Sequence, residues 1–404
     1  MKLTIRTATT SAELKPYAQA WDALAASALD PNVFYEYWQL LPSMDAFAAD
    51  DEDAIEIVLI LEERDEGPML RGVFPLERLR RFRGLPIRHV KLWKPLYCFS
   101  CTPLVDARCA QPVIREFIEW IKRPEARCEL LELNDIRGDG PFATALSEVL
   151  VALGRPSFQR WTHQRALLES HAEAAQGDAR FNKGLKQFDR RRRRLCERGE
   201  LRFSRLTPKE DASPWIQDFL ALEASGWKGR EGSAMSSSLR TRRHFEIVAR
   251  EAHARGRLDM QALHLDDRVI AMQCNYVGAD AAYAFKCAYD EAYAQYSPGV
   301  LLELENTRIT REEMSTPWMD SCAVPNHPTM DRIWSARRKI EARVVSNGRW
   351  ANDWSVRLFP RLRNLKRATL LAAVELQASK RARRILESIA VALSATVLLT
   401  AAID

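Results

Sequence analysis

Apolar residues recur along this chain in two alternating rhythms, one of strands and one of helices. The first residues, Met1-Lys2-Leu3-Thr4-Ile5-Arg6, alternate like a strand. Residues 54–62 form a β-branched, apolar run bounded by acidic residues and later by Gly67-Pro68, which predicts a buried strand with 69–79 as its hairpin partner. Val113, Ile114, Phe117, Trp120 and Ile121 then fall at helical spacing within 111–122. A strand at 128–133 and a helix at 141–153 complete a first half. Residues 172–179 are small and polar and read as a linker. Phe181, Leu185, Phe188 and Leu195 then mark one face of a helix whose other faces carry Lys183, Lys186 and the arginine run 190–194.

The second half reads as a strand (201–206), a helix (214–226), a glycine-punctuated loop (226–233) and a long helix (238–255). Three close strands follow at 257–265, 268–277 and 281–289, separated by the turn formers Asp266-Asp267 and Gly278-Ala279-Asp280. After Ser297-Pro298-Gly299 come a helix at 300–314 and a strand at 316–322. Strands alternate with helices in both halves, so the expected class is α/β or α+β. Residues 355–404 read as a helical tail, basic up to Arg384 and apolar over 385–403. A packing helix is its plainer reading. A helix lying on an anionic bilayer is the sharper one, which implies peripheral membrane contact.

Composition narrows the class. The chain has 404 residues, enough for two cores, with 47% hydrophobic and 28% charged residues, a globular balance. Its net charge of +6 suits an acidic ligand and falls short of a dedicated nucleic-acid binder. The eight cysteines are scattered and the start lacks a signal-peptide pattern, so reduced thiols in the cytoplasm are expected.

There is no Walker A loop, His-Glu-x-x-His, Gly-x-Ser-x-Gly or dinucleotide fingerprint. Cys98-Phe99-Ser100-Cys101 lacks a second pair, so no metal site is expected and the two thiols read as unrelated. The informative stretch is 281–303. A strand ends in Lys286, Tyr289, Asp290 and Glu291, and Ser297-Pro298-Gly299 then opens a helix, with Ser297 as cap and Pro298 in the first turn. A helix start directly after a strand offers N–H groups to an anion such as a pyrophosphate, and Gly299 lets a ligand approach. A capped helix without a ligand is the plainer reading.

This stretch resembles the GNAT-like acetyltransferase domain of CelD-type cellulose-biosynthesis proteins, related to Fem-type transferases with two GNAT halves. The resemblance is best from Lys183 to Trp334. It rests on the basic helix before Gly199-Glu200-Leu201-Arg202-Phe203, on Phe219-Leu220 with Leu222-Glu223, and on Gly226-Trp227-Lys228-Gly229. It continues through Arg257-Leu258, Val269-Ile270-Ala271, Tyr289-Asp290-Glu291, Ser297-Pro298-Gly299 and Asp320. In the first half Trp21, Val33-Phe34, Trp38 and Thr102-Pro103-Leu104-Val105 are also similar. The family's glycine-rich loop is reduced to Gln295-Tyr296-Ser297-Pro298-Gly299. Ser321-Cys322 stands where relatives place a glycine, and Pro325-Asn326-His327-Pro328 where they carry a Tyr-Lys pair.

The resemblance implies two tandem GNAT-like domains, each a mixed, mostly antiparallel sheet flanked by helices, followed by the helical tail. The expected divisions are 1–168, a linker and basic helix at 169–200, 201–345, and a tail at 346–404. It implies transfer of an acetyl or other acyl group from acyl-CoA to an amine or hydroxyl. The acceptor would be a small molecule, a sugar or a polysaccharide precursor. Tyr296, Ser297, Gly299 and Val300 are the expected donor-binding residues. Such chemistry needs N–H donors for the developing oxyanion, available on strand 281–289. It needs a proton acceptor, for which Asp290, Glu291 and Asp320 are candidates. It needs an acid for the leaving thiolate, for which Tyr289, Tyr293 and Tyr296 are candidates. Glu223, Trp227, Lys228 and Lys286 are candidates for substrate binding, and Cys322 reads as a buried structural thiol. Two alternatives stand beside this: an aminoacyl-tRNA-dependent transferase, and a non-catalytic adaptor in exopolysaccharide biosynthesis.

Overall fold

The computed structural model describes residues 1–48, 55–170, 179–279, 281–349, 352–354 and 356–359, with backbone alone for 179–185 and 187. Most of the expected linker and of the basic-then-apolar tail lies outside these residues. No described helix is long and apolar enough to cross a membrane.

The first half runs β1 (Leu3–Ala8), α1 (Ala18–Ala26), α2 (Tyr37–Phe47), β2 (Ile55–Glu62), β3 (Met69–Leu79), β4 (His89–Leu92) and β5 (Leu104–Val105). It continues through α3 (Ala110–Trp120), β6 (Leu130–Arg137), α4 (Pro141–Ala152) and β7 (Ser157–Glu169). The second half repeats the order. It has α5 (Ala179–Cys196), β8 (Leu201–Arg205), α6 (Ala212–Ser225), α7 (Leu239–Ala254), β9 (Leu258–Leu265), β10 (Arg268–Val277) and β11 (Ala282–Tyr289). Then come α8 (Pro298–Glu312), β12 (Trp318–Asp320) and β13 (Ala336–Ser346).

Local chemistry accounts for these elements. The run in β2 is buried from Ile57 to Leu61, as an interior strand covered on both faces must be. In α3 the stripe Val113, Ile114, Phe117 and Ile118 is fully buried, and Phe117 stacks on Phe74 of β3 at 3.9 Å. Asp211 caps α6 by accepting from the Ser213 N–H at 2.9 Å, and Ser238 caps α7. Phe188 and Leu195 of α5 are buried as the expected apolar face, while Arg190, Arg192, Arg193 and Arg194 are exposed.

All strands join one sheet in the order β1-β2-β3-β4-β6-β13-β7-β12-β11-β10-β9-β8, with β5 on β3. The order is nearly palindromic. Each half contributes an antiparallel set and then one parallel step, β4 to β6 and β11 to β12. The last strand of each half crosses over. β13 pairs with β6 of the first half, β7 pairs with β12 of the second, and the two pair with each other from Ala336↔Leu167 to Val345↔Ser157. Neither β7 nor β13 is foreseen from the sequence, because β7 is interrupted by arginine and glutamine and β13 by arginine and lysine, and neither carries a long apolar run.

The exchange is held by a buried ion cluster. Asp320 of β12 takes Arg165 of β7, with Nε at 2.7 Å and Nη2 at 2.8 Å, and Arg338 Nη1 of β13 at 3.2 Å. Arg338 also lies over the Trp318 ring at 3.7 Å. Further ties cross the halves: Arg257 to Glu36 at 2.8 Å, the Tyr283 hydroxyl to the Pro31 carbonyl at 2.6 Å, and His244 to Ser43 at 2.9 Å.

Candidate functional site

β11 and β12 run parallel but pair only at Ala282↔Met319 and Tyr283↔Asp320. Beyond Tyr283 they part, as the pairing on that edge of β11 ends. On its other edge β11 carries a bulge: Lys286 pairs with Cys274 and Ala284 with Asn275, so Phe285 has no partner across the ladder. The extra residue brings two successive side chains to the α6–α7 side. Phe285 stacks on Phe245 of α7 at 6.2 Å, and Lys286 reaches Glu223 of α6.

Here three of the residues expected to bind substrate converge. Glu223 Oε1 accepts from Lys228 Nζ at 3.1 Å and from Lys286 Nζ at 3.2 Å, while its Oε2 accepts from the Met235 N–H at 2.8 Å. Lys228 also donates to the Cys287 carbonyl at 3.2 Å, on the strand that forms the wedge. Glu223 is only 2% exposed. Burial pushes its carboxyl up, but the Lys286 charge, the Met235 N–H and Lys228 outweigh that and hold it below the usual range. Burial pushes the Lys286 ammonium down, against the pull of Glu223 and with the repulsion of Lys228. Trp227, the fourth of that set, is 45% exposed and borders this cluster, with Lys228 Nζ 6.0 Å from its ring and its backbone N–H bonded to Glu291 at 2.7 Å.

The open end of the wedge is shaped by the turn after β11. Asp290 accepts from the Ala292 N–H at 3.0 Å and pairs with Arg268 at 2.6 Å. Glu291 takes the Trp227 N–H and Arg230 Nη2, each at 2.7 Å, and these hold its carboxyl low. Tyr296 is buried, with Arg198 over its ring at 5.8 Å, and Arg268 lies over Tyr293 at 5.7 Å.

Ser297 corrects an expectation. Its φ of 56° places it in the left-handed region and its side chain caps nothing; its hydroxyl instead accepts from Arg191 of α5. The backbone bend turns the hydroxyl away from the helix start. Pro298 occupies the first turn as expected, and the Val300 N–H bonds the Ser297 carbonyl at 2.9 Å. A Cβ on Gly299 would lie 3.4 Å from Cys287 Sγ and 3.5 Å from Tyr289 Cδ1, ordinary contact distances, so the start of α8 lies against the end of β11.

The structure places Asp320 at the far end of the wedge, 1% exposed. Burial pushes its carboxyl up, and Arg165 and Arg338 more than reverse this, while the Cys322 N–H donates to it at 2.9 Å. The Cys322 thiol is pushed up by burial and by Asp320.

Sequence reading missed three contributors. Tyr97 comes from the first half and lies over Lys286 Nζ at 4.7 Å. Arg191 is the one arginine of its run that turns inward, a choice set by the packing of α5. The third is a polar network beneath α8, in which Glu303 accepts from Gln273 at 3.0 Å and from Asn306 at 3.1 Å. Gln273 also donates to Asn275, Asn306 accepts from Gln261 and Asn275, and Asn275 donates in turn to Asp259. Burial pushes the Glu303 carboxyl up to about 7, against the two amides. Its folded pKa lies above the unfolded value, so the folded state binds the proton more tightly. This group's contribution is present at low pH and is lost as pH rises through about 7. Between pH 5 and 8 the wild type should therefore lose up to about 3 kcal/mol more stability than Glu303→Gln, measured by urea unfolding at each pH. Parallel curves would show that Glu303 is not protonated in the folded chain.

Comparison with known proteins follows the same lines. Residues 182–314 match the family described as an acetyltransferase (GNAT) domain, a segment that runs from α5 to the end of α8. No curated protein matches the sequence. The crystal structure of FemX is similar with a TM-score of 0.51 at 11% identity, over 81% of this chain and 95% of that one. A conserved protein of unknown function from Bacteroides thetaiotaomicron is similar with a TM-score of 0.52 at 10% identity, over 85% and 99%. At such identities the likeness is one of fold. Residues 182–314 thus match the GNAT acetyltransferase domain, within a chain whose overall fold is similar to that of FemX.

Proposed function

We propose that the chain moves an acetyl or other acyl group from acyl-CoA directly to an amine or hydroxyl of a small molecule, sugar or polysaccharide precursor. The observation that carries this is the wedge: β11 parts from β12 over a bulge, with Lys286 beside the bulge and the start of α8 at the open end. Arg191 and the α8 N-terminus supply positive charge for phosphates. Lys286 and backbone N–H groups of β11 beyond its last pair with β12 meet the negative charge that grows on a thioester oxygen. Tyr289, whose ring lies beside Gly299, is the acid this reading assigns to the leaving thiolate. Asp290, Glu291 and Asp320 take positioning roles in this reading, because each is already engaged by cations and N–H groups. An amine acceptor then gives its proton to water, since the ammonium of the tetrahedral adduct is strongly acidic.

One observation favours a second donor. Four exposed arginines of α5 flank Arg191, and a donor carried on tRNA would use such a face. The test is thermal unfolding with acetyl-CoA or other acyl-CoAs at about millimolar concentration. A ligand at 100 times its Kd adds about 2.7 kcal/mol, enough for a clear rise in Tm. The rise should vanish in Gly299→Glu, which sets a negative charge at the start of α8. A rise with aminoacyl-tRNA alone would move the assignment to the second donor, and no rise with either would sink both.

A further inference from the structure

The two halves differ at the connection that leads from the meander into the following helix. In the second half residues 290–297 make the tight turn that opens α8. In the first half residues 93–109 form a longer path through β5. That path crosses the seam and packs on the other half. Tyr97 adopts a φ of 71°, a left-handed conformation costly for an aromatic residue, and so swings its ring outward. The ring lies over Lys286 Nζ at 4.7 Å, stacks on His244 of α7 at 6.2 Å and meets Phe285 edge-on at 6.2 Å. Thr241 of α7 lies beside its hydroxyl. Phe99 meets Phe285 at 5.8 Å, and its carbonyl accepts from Arg165 at 2.7 Å.

We infer that Tyr97 is a positioning residue for the transfer site: the first half, in place of a second donor turn, sends this ring across the seam to hold the Lys286 ammonium beside the bulge. What Lys286 does chemically rests on the acyl-transfer reading; the contact itself does not. Lys286 faces four groups that bear on its charge: Glu223 of α6, Lys228 of the following turn, Cys274 of β10 and the face of Tyr97. Two ammonium groups share one carboxylate oxygen, so Glu223 alone does not fix which way Lys286 points. The negative face of the ring supplies the second attraction and the direction.

Tyr97→Leu and Tyr97→Phe separate this role from packing. Leucine keeps apolar cover over Lys286 and removes the ring face; phenylalanine keeps the face and loses the hydroxyl. In protein labelled with 13C at lysine Cε, the Lys286 signal should titrate at lower pH in Tyr97→Leu than in the wild type, and as in the wild type in Tyr97→Phe. Thiol release from acetyl-CoA, with a panel of amino sugars and small amines to take the acyl group, should fall about tenfold in kcat in Tyr97→Leu, the worth of one partly desolvated cation–π contact, with KM for acetyl-CoA unchanged. Tyr97→Phe should restore it. An unmoved Lys286 titration in Tyr97→Leu, or equal impairment of both variants, overturns the proposal. If the titration moves as expected while the wild type turns over no thioester, the positioning contact stands and the acyl-transfer reading falls.

Discussion

Lys286→Met is expected to slow acyl transfer by two to three orders of magnitude, about the effect of removing one preorganised donor to a developing oxyanion. Methionine has nearly the same length and reaches the Tyr97 ring over which the ammonium lies. Glu223 keeps Lys228 and the Met235 N–H, so no buried charge is orphaned and the fold should survive. The loss should therefore appear in kcat, with the thermal shift caused by acyl-CoA unchanged. Free thiol released from the donor measures the first and a melting curve the second. An unchanged rate would reduce Lys286 to a structural partner of Glu223.

Asp320→Ala has the largest expected effect on stability. It leaves Arg165 and Arg338 facing each other in the interior with no counter-charge, and removing one partner of such a cluster costs about 3–5 kcal/mol. Urea unfolding would show this as a lower midpoint. Replacing the cluster together, as Arg165→Met, Asp320→Leu and Arg338→Met, should recover most of the loss, because desolvating three charges costs nearly as much as their attraction returns. The triple variant also decides the role of Asp320. If it folds and still transfers, Asp320 acts only by joining the exchanged strands; if it folds and does not, the carboxylate takes part in moving the proton.

The meander and α8 were legible because their signals are local. Asp266-Asp267 and the break near Gly278 end strands of alternating or apolar pattern, and the observed β9, β10 and β11 match those bounds within a residue. Pro298 in the first turn of α8 was legible for the same reason. Glu223, Lys228 and Lys286 were recognisable one by one as polar residues at element ends. That Lys228 and Lys286 share one oxygen of Glu223 was not, since it depends on the bulge at Phe285 and on how α6 crosses the sheet.

The sequence by itself determined two α/β halves, the run of elements from β8 to β12 and the segment that meets the family, because turn residues, caps and apolar periodicity act over a few positions. The tertiary structure alone decided which strands stand at the centre. β7 and β13 are arginine-rich and apolar in only a few positions, and they become interior strands because Asp320 pairs with the arginine that each contributes. It also decided that Arg191 turns in while its neighbours face water, and that Tyr97 serves the opposite half. Those choices are contacts between residues far apart in the chain, whose energy exists only once the sheet has brought them together.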